Sequence, residues 1–484
     1  MISHFVPIEP KRKYPNVTKL SFVKVANSTF YVYSPISSII ILLDFLGTFK
    51  IDIIKFLIYF EKILCLIMTN SKNFLSNYLK IFLGLYILIY CFPFPADNIP
   101  YMYVYFSKYV YALKSEFTLF IGRKLLGLGD LVHSPSNGSG DTIMHYLSLI
   151  SYSILAILTS IPSLFFLKNK QRTNSFYAIM LIYARYFVGL SLISYGVVKF
   201  MNGQFPSPTL MALESTYGDS SPMALAWRFF GYSDLYKAFM GFSELLAGFL
   251  LLFRRTAVLG SLISIAVCTN IFFVNLSFDV PVKLYSGHLL FFSILISWRS
   301  LKTLFSFFIL HKEVSLPKIQ YDFSKKWKRG TYLSLKVIFA GLVPLSLITG
   351  HVLSQQYRTF LNEWEGVYVV SSMEAQSDFE NQKNYDWEKI IIQGKTIMTL
   401  DPEKNKTYYT IENIWNEGEI NFIENQTQED PYQILLSESE NGSYNLKIKL
   451  DSAKYLVTAS RKIKSDYLLI NRGFNWVNES PYNK

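Results

Sequence analysis

ARYFVGLSLISYGVVKF, residues 184–200, is the stretch that decides the fold. It is apolar along most of its length, yet Arg185, Tyr195 and Lys199 stand within it. Apolar and polar residues do not alternate, so it is no strand of a membrane barrel. Residues 177–198 are long enough for a helix to cross a hydrocarbon layer about 30 Å thick.

Working outward, similar segments recur at 79–94, 143–166, 237–253, 257–276, 282–298 and 331–351. Residues 36–68 are apolar too, but Asp44, Lys50, Asp52, Lys55 and Glu61 interrupt them. That region reads as one span, a tight hairpin or helices lying in the interface, with at least one crossing favoured. The expected fold is a polytopic α-helical membrane protein of about 7–9 transmembrane helices with an all-β soluble domain at its C-terminus. The segment 1–33 is polar and basic, without the apolar core and cleavage site of a signal peptide.

The soluble domain is expected over 360–484. Short β-prone runs at 366–371, 389–393, 396–400, 407–411, 432–436, 444–450, 455–459 and 467–470 are separated by turn signals such as DPEKN (401–405) and ENGS (440–443). That spacing predicts an antiparallel meander closed as a small barrel or stacked as a sandwich. Trp364, Trp387, Trp415 and Trp476 are its expected core, with a ligand-holding barrel as the alternative. The other expected divisions are a basic N-terminal segment (1–75), two spans with a long outer loop (76–175), a four-helix unit (176–300), a basic linker (301–330) and a last span (331–351).

Charge sets the orientation. Residues 360–484 carry 20 acidic and 13 basic groups, a net of −7, whereas the rest of the chain carries 34 basic and 15 acidic, a net of +19. The basic groups sit between the apolar spans, at 168–172, 254–255 and 299–330, rather than along one stripe. This excludes nucleic acid as the expected partner. It places those loops in the cytoplasm and the β domain outside, in the periplasm of a bacterial inner-membrane protein. The expected partners are the bilayer and a periplasmic protein for the β domain.

Ionisable groups within apolar spans are costly, roughly 2.5–3.5 kcal/mol each on insertion scales, so they carry the functional argument. Glu244, Asn270, His288 and Tyr195 fall at similar depths below the outer end of their four spans, by counting at ~1.5 Å per residue. They are expected to form an outward-facing polar pocket, with Glu244, His288 and Tyr195 as its catalytic groups. Arg185 would sit deeper, and Lys199, Asp279 and Lys283 would rim the opening. Asp141, in NGSGDT (137–142), and Asp219, in YGDSSPM (217–223), would overhang it. The same two motifs read as helix N-caps: Asp141 or Thr142 before 143–166, and Ser220 or Ser221 before a short helix stopped by Gly231. Residues 101–111 read as an interfacial helix. Cys65, Cys91 and Cys268 show no metal or disulfide spacing. No helix holds two histidines at metal spacing, so no metal is expected; a haem bridging two helices stays open. Nucleotide-binding loops and hydrolase motifs are absent from the sequence.

Two stretches, residues 184–200 and GFSELLAGFLLLFRR at 241–255, resemble the DoxX family, a four-helix membrane unit. The matching positions are Arg185, Gly196, Lys199, Glu244, Gly248 and Arg254, within residues 176–299. With YGDSSPMALAW, FDVPVKLYSGHLL and NRGFNWVNESPYN, the chain resembles large DoxX-type proteins of Bacteroidetes-type bacteria that carry a C-terminal β domain. The resemblance implies a quinone-linked redox role, with quinone as the one cofactor it suggests. An envelope protein whose β domain binds a partner is the alternative. A lipid or small-molecule transporter and a carboxylase-like membrane enzyme rank lower.

Overall fold

The computed structural model describes residues 72–484, apart from 100, 130–139, 168, 201–202, 316–325, 339–362 (save 341, 344–346 and 349), 377–385, 415–418, 424–431, 440, 451–452 and 483–484. The chain divides into two units, Met1–Leu75 and Ser76–Lys484. The expectation for residues 36–68 lies outside the described residues, as does part of that for 331–351.

The helices are α1 (Lys72–Cys91), α2 (Lys108–Phe120), α3 (Ile143–Phe166), α4 (Lys170–Phe200), α5 (Leu210–Leu213), α6 (Pro222–Tyr232), α7 (Asp234–Leu252), α8 (Ala257–Ser277), α9 (Lys283–Phe308) and α10 (Lys326–Val337). Five of these, α1, α3, α4, α7 and α8, are long and apolar enough to cross a membrane. The bent helix α9, with 71° between its Lys283–Trp298 and Ser300–Phe308 parts, makes a sixth if it is counted as one span. Leu158, Ile161, Ile179, Phe242, Leu259 and Phe273 stand exposed on these helices. Such an apolar surface suits a lipid-facing protein and not a soluble one.

The bundle is organised around α4 and α7. Gly189 and Gly196 lie two turns apart on α4, and Gly241 and Gly248 two turns apart on α7. The helices run antiparallel, so Gly196 meets Gly241 and Gly189 meets Gly248. A Cβ at Gly196 would lie 2.8 Å from the Gly241 carbonyl oxygen, and one at Gly248 would lie 2.6 Å from that of Gly189. Only glycine allows this approach, the small-residue packing that replaces hydrophobic drive between membrane helices. Ala184, Val188, Leu192, Ile193, Ala247 and Leu251 fill the remainder of the seam.

Eight strands close an antiparallel barrel in simple meander order. They are β1 (Gly366–Ala375), β2 (Lys389–Gln393), β3 (Thr396–Leu400), β4 (Lys406–Ile414), β5 (Glu419–Ile423), β6 (Tyr432–Glu438), β7 (Tyr444–Leu450) and β8 (Ala453–Lys462), and β8 pairs back onto β1. Alternate residues, among them Tyr368, Ile390, Ile392, Ile397, Tyr409, Phe422, Ile434 and Val457, fill the interior, each almost wholly buried. The barrel is therefore packed with its own side chains. In KIIIQ and TIMTL the alternation fails because both faces are covered. Ile391 and Met398 point outward, yet both are buried beside Val367, Leu210 and Tyr467.

Several sequence expectations need correction here. Residues 467–470 are not a strand: Leu468–Asn471 form a helical turn, because Tyr467 and Ile470, three apart, both pack toward Leu210. Strand β5 was not anticipated. Trp387 is buried and Trp364 packs on the core, but Trp476 is 91% exposed, on the tail beyond the barrel. Trp415 lies outside the described residues. Helix α6 begins as expected, with Ser221 Oγ accepting from the Ala224 amide at 3.1 Å and Pro222 in the first turn. It does not stop at Gly231, which is helical: a Cβ there would lie 2.2 Å from the Pro206 carbonyl oxygen, so the glycine serves close packing.

Candidate functional site

Lys199 and Glu244 each lie three residues beyond a glycine of the Gly196–Gly241 contact, on the faces that the contact brings together. Lys199 Nζ donates to both Glu244 carboxylate oxygens at 2.8 Å. The side chains are 6% and 2% exposed. Two buried charges thus form a neutral, bidentate pair. An ammonium carries three donors, and Glu244 takes two of them.

This pair lies in the wall of a cavity of about 290 Å³. Phe205, Trp227, Phe230, Tyr236 and Phe239 supply aromatic walls, and Val267, Ile271 and Val274 of α8 supply aliphatic ones. Phe205 stands with its ring centroid 5.1 Å from both Trp227 and Phe230. Phe230 stacks on Tyr236 at 6.2 Å. Four further polar side chains line it, Gln204, Ser243, Asn270 and Asn275; Ser243 donates to the Phe239 carbonyl at 2.8 Å and Asn275 Nδ2 to Ser286 Oγ at 3.0 Å. Gln204 Oε1 is buried with no hydrogen-bond partner among the described residues. Asn270 faces the cavity from α8 on an exposed side of that helix. The cavity opens there between α7 and α8, where Ala266 and Phe239 are also exposed. The site therefore offers one ammonium N–H, a Gln204 carbonyl unmet among the described residues, and the carboxamides of Asn270 and Asn275, in aromatic surroundings without net charge.

Of the expected site residues, the structure brings together Glu244, Lys199 and Asn270. His288 is not with them. Its Nδ1 lies 2.7 Å from the Leu284 carbonyl oxygen, which can only accept, so Nδ1 carries the proton. Nε2 then accepts from the Tyr86 hydroxyl at 2.7 Å, and the ring stacks on Tyr90 at 4.1 Å. His288 thus joins α9 to α1, and it is the neighbouring Tyr285 that faces α4, donating to Ser191 Oγ at 2.8 Å. Tyr195 stands beside the pair, its ring centroid 5.7 Å from Lys199 Nζ, without lining the cavity. Arg185 is buried nearly four turns away along α4, its guanidinium 5.1 Å from the Tyr186 ring centroid.

Asp141 has a structural place that the sequence did not show. It caps α9 rather than α3, accepting from the Lys283 and Leu284 amides at 2.8 and 2.9 Å. Thr142 is the backbone N-cap of α3, and its hydroxyl meets His145 Nδ1. Lys283 pairs with Asp279 at 2.9 Å, and Asp279 is 85% exposed. Asp219 is an exposed loop residue held by the Thr216 hydroxyl. None of these lines the cavity. Residues 137–139 lie outside the described residues. Among the described residues, no group of three or more His, Cys, Asp or Glu side chains is placed to hold a metal ion.

Sequence reasoning missed Gln204, Phe205, Trp227 and Phe230. The signal was the spacing of Trp227, Phe230 and Phe205 around Gly231, which makes sense only once α6 is seen to fold back over the end of α4.

The chain is 38% identical over 114 residues to an uncharacterized protein, YwoB, of Bacillus subtilis, an alignment covering 24% of this chain and 72% of that protein. This chain belongs to the YwoB family. YwoB is itself uncharacterized, so membership brings no activity with it. No family model matches the chain, and no solved structure matches it.

Proposed function

We propose that the chain is a bacterial inner-membrane protein whose bundle holds a small, neutral, ring-bearing amphiphile in the cavity beside Lys199 and Glu244. Quinone is the ligand class that this reading and the DoxX-like motifs share. The observation that carries it is Gln204 Oε1, a buried acceptor without a partner among the described residues, at an aromatic wall that also bears a lysine N–H. An unmet buried acceptor costs about 1–3 kcal/mol, which a ligand hydroxyl would relieve. A ligand carbonyl would accept from Lys199. The charge balance argues against an anionic head group, because Glu244 already neutralises Lys199.

In this reading the basic loops face the cytoplasm and the barrel lies outside, in the periplasm. The ligand enters sideways from the lipid, past Asn270. A carboxamide facing lipid is unfavourable by itself and favourable when it guides a polar ring edge. Were the ligand a quinone, its two-electron reduction by an electron-carrier protein would take up two protons; Lys199 is placed to give one to a ring oxygen, and the second proton and the one that restores Lys199 would come from water. His288 and Tyr195 take no direct part. The test is to purify the protein from native membranes and identify extracted small molecules by mass spectrometry. A ring-bearing neutral lipid at near one per chain, lost in Trp227→Ala, is expected. Recovery of phospholipid only, equal in both, would overturn the reading.

A further inference from the structure

The barrel and the cavity meet in one short segment. Residues 204–214 leave α4, line the cavity with Gln204 and Phe205, and run on through Pro206 and Pro208 to α5. Thr209 caps α5, its hydroxyl accepting from the Ala212 amide at 3.1 Å. The Leu210 amide donates to Gln393 Oε1 of β2 at 2.9 Å. The Leu210 side chain, 1% exposed, is enclosed by Val367, Ile391 and Met398 on the outer face of the barrel. Glu214 then accepts from three groups of the β domain: Lys389 and Lys462 of the barrel at 2.7 and 3.5 Å, and the hydroxyl of Tyr467 just beyond it. Its side chain is only 11% exposed.

The other end of the segment is equally fixed. Phe205 packs between Trp227 and Phe230 of α6, and the Pro206 carbonyl rests against Gly231. Ser207 Oγ accepts from Lys237 Nζ at 3.3 Å. Two prolines hold φ near −65° at their own positions, so the link between these ends is stiff. A displacement at α5 must therefore be felt at Phe205 and α6.

We infer that the β barrel clamps the roof of the membrane cavity, with Glu214 as the residue that couples the two. The barrel thereby gains a function inside the chain itself: its docked face sets the position of Gln204, Phe205 and, through them, α6. The inference rests on these contacts and not on the identity of the ligand.

Hydrogen exchange on the full chain in lipid nanodiscs tests it. In Glu214→Ala, amides of residues 210–214 and of α6 should exchange at least about tenfold faster than in the native protein, while those of β6 and β7 are unchanged. If Glu214→Ala opens the barrel as well, Gln393→Leu is read instead. It removes one acceptor and no charge, and the same two segments should loosen, to a smaller degree. Faster exchange at 210–214 with α6 unchanged, in the variant that keeps β6 and β7 protected, would overturn the inference. So would no change at 210–214.

Discussion

Breaking the Lys199–Glu244 pair from either side is the sharpest perturbation that the bundle offers. Nζ lies 2.8 Å from both carboxylate oxygens, and neither side chain exceeds 6% exposure. Lys199→Met leaves the Glu244 carboxylate without a counter-charge, and Glu244→Gln does the same to the ammonium. Removing one partner of a buried pair costs about 3–5 kcal/mol, because the remaining charge stays desolvated. Replacing both removes both charges, and such replacements are often neutral or stabilising. The double variant Lys199→Met/Glu244→Gln should therefore lie within about 1–2 kcal/mol of the native protein, far from the sum of its parts. Reversible unfolding by SDS titration in mixed micelles gives the three free energies and closes the cycle. Single losses below about 1 kcal/mol, or an additive double variant, would refute the claim that the pair is buried and isolated.

Two further outcomes follow from the same geometry. Gly248→Val places side-chain atoms against the Gly189 carbonyl, where even a Cβ would lie at 2.6 Å. Overpacking of this kind costs about 1–3 kcal/mol, and more when backbone must move, so the variant should unfold earlier in the same titration, whereas Gly287→Ala, whose nearest contact is the side chain of Phe272 at 3.3 Å, should not. Acidification should release the barrel from the loop. Burial pushes the Glu214 carboxyl upward, but hydrogen bonds from Lys389 and Tyr467 and the charges of Lys389 and Lys462 outweigh it and hold it below the ordinary carboxylate range. A depressed pKa contributes stability that is complete above the unfolded value, about 4.3, and is lost as pH falls through the folded one. Exchange at residues 210–214 should therefore rise below about pH 4, and Glu214→Gln should raise it at neutral pH and remove that acid-dependent step.

Much of this fold was legible because hydrophobic length is a strong signal. The run 143–166 became a helix with those bounds, and the β domain is C-terminal, as expected. Legibility failed where tertiary contact overrode local pattern. Tyr467 and Ile470 look like strand residues until Leu210 draws both to one side of a helical turn. KIIIQ reads as a strand, but nothing in five residues says that Ile391 would be covered from outside. The pairing of Lys199 with Glu244 needed the register of α4 on α7. That register was written in the two-turn spacing of Gly189 with Gly196 and of Gly241 with Gly248. His288 misled because depth along a helix fixes height and not azimuth: it faces Tyr86 and Tyr90 of α1. Asp141 differs in a related way: of the two cap candidates, Asp141 or Thr142, Thr142 is the backbone N-cap of α3 and Asp141 accepts from the start of α9 instead.

The central claim is that the cavity beside Lys199 holds a small molecule. It is tested most directly by density in a structure of the full chain purified from native membranes without delipidation. The account predicts a planar, ring-sized feature between Trp227 and Asn270, within hydrogen-bonding reach of Lys199 Nζ and Gln204 Oε1. A cavity closed by Gln204 bonding to its neighbours, or filled by an acyl chain that touches neither group, would contradict it.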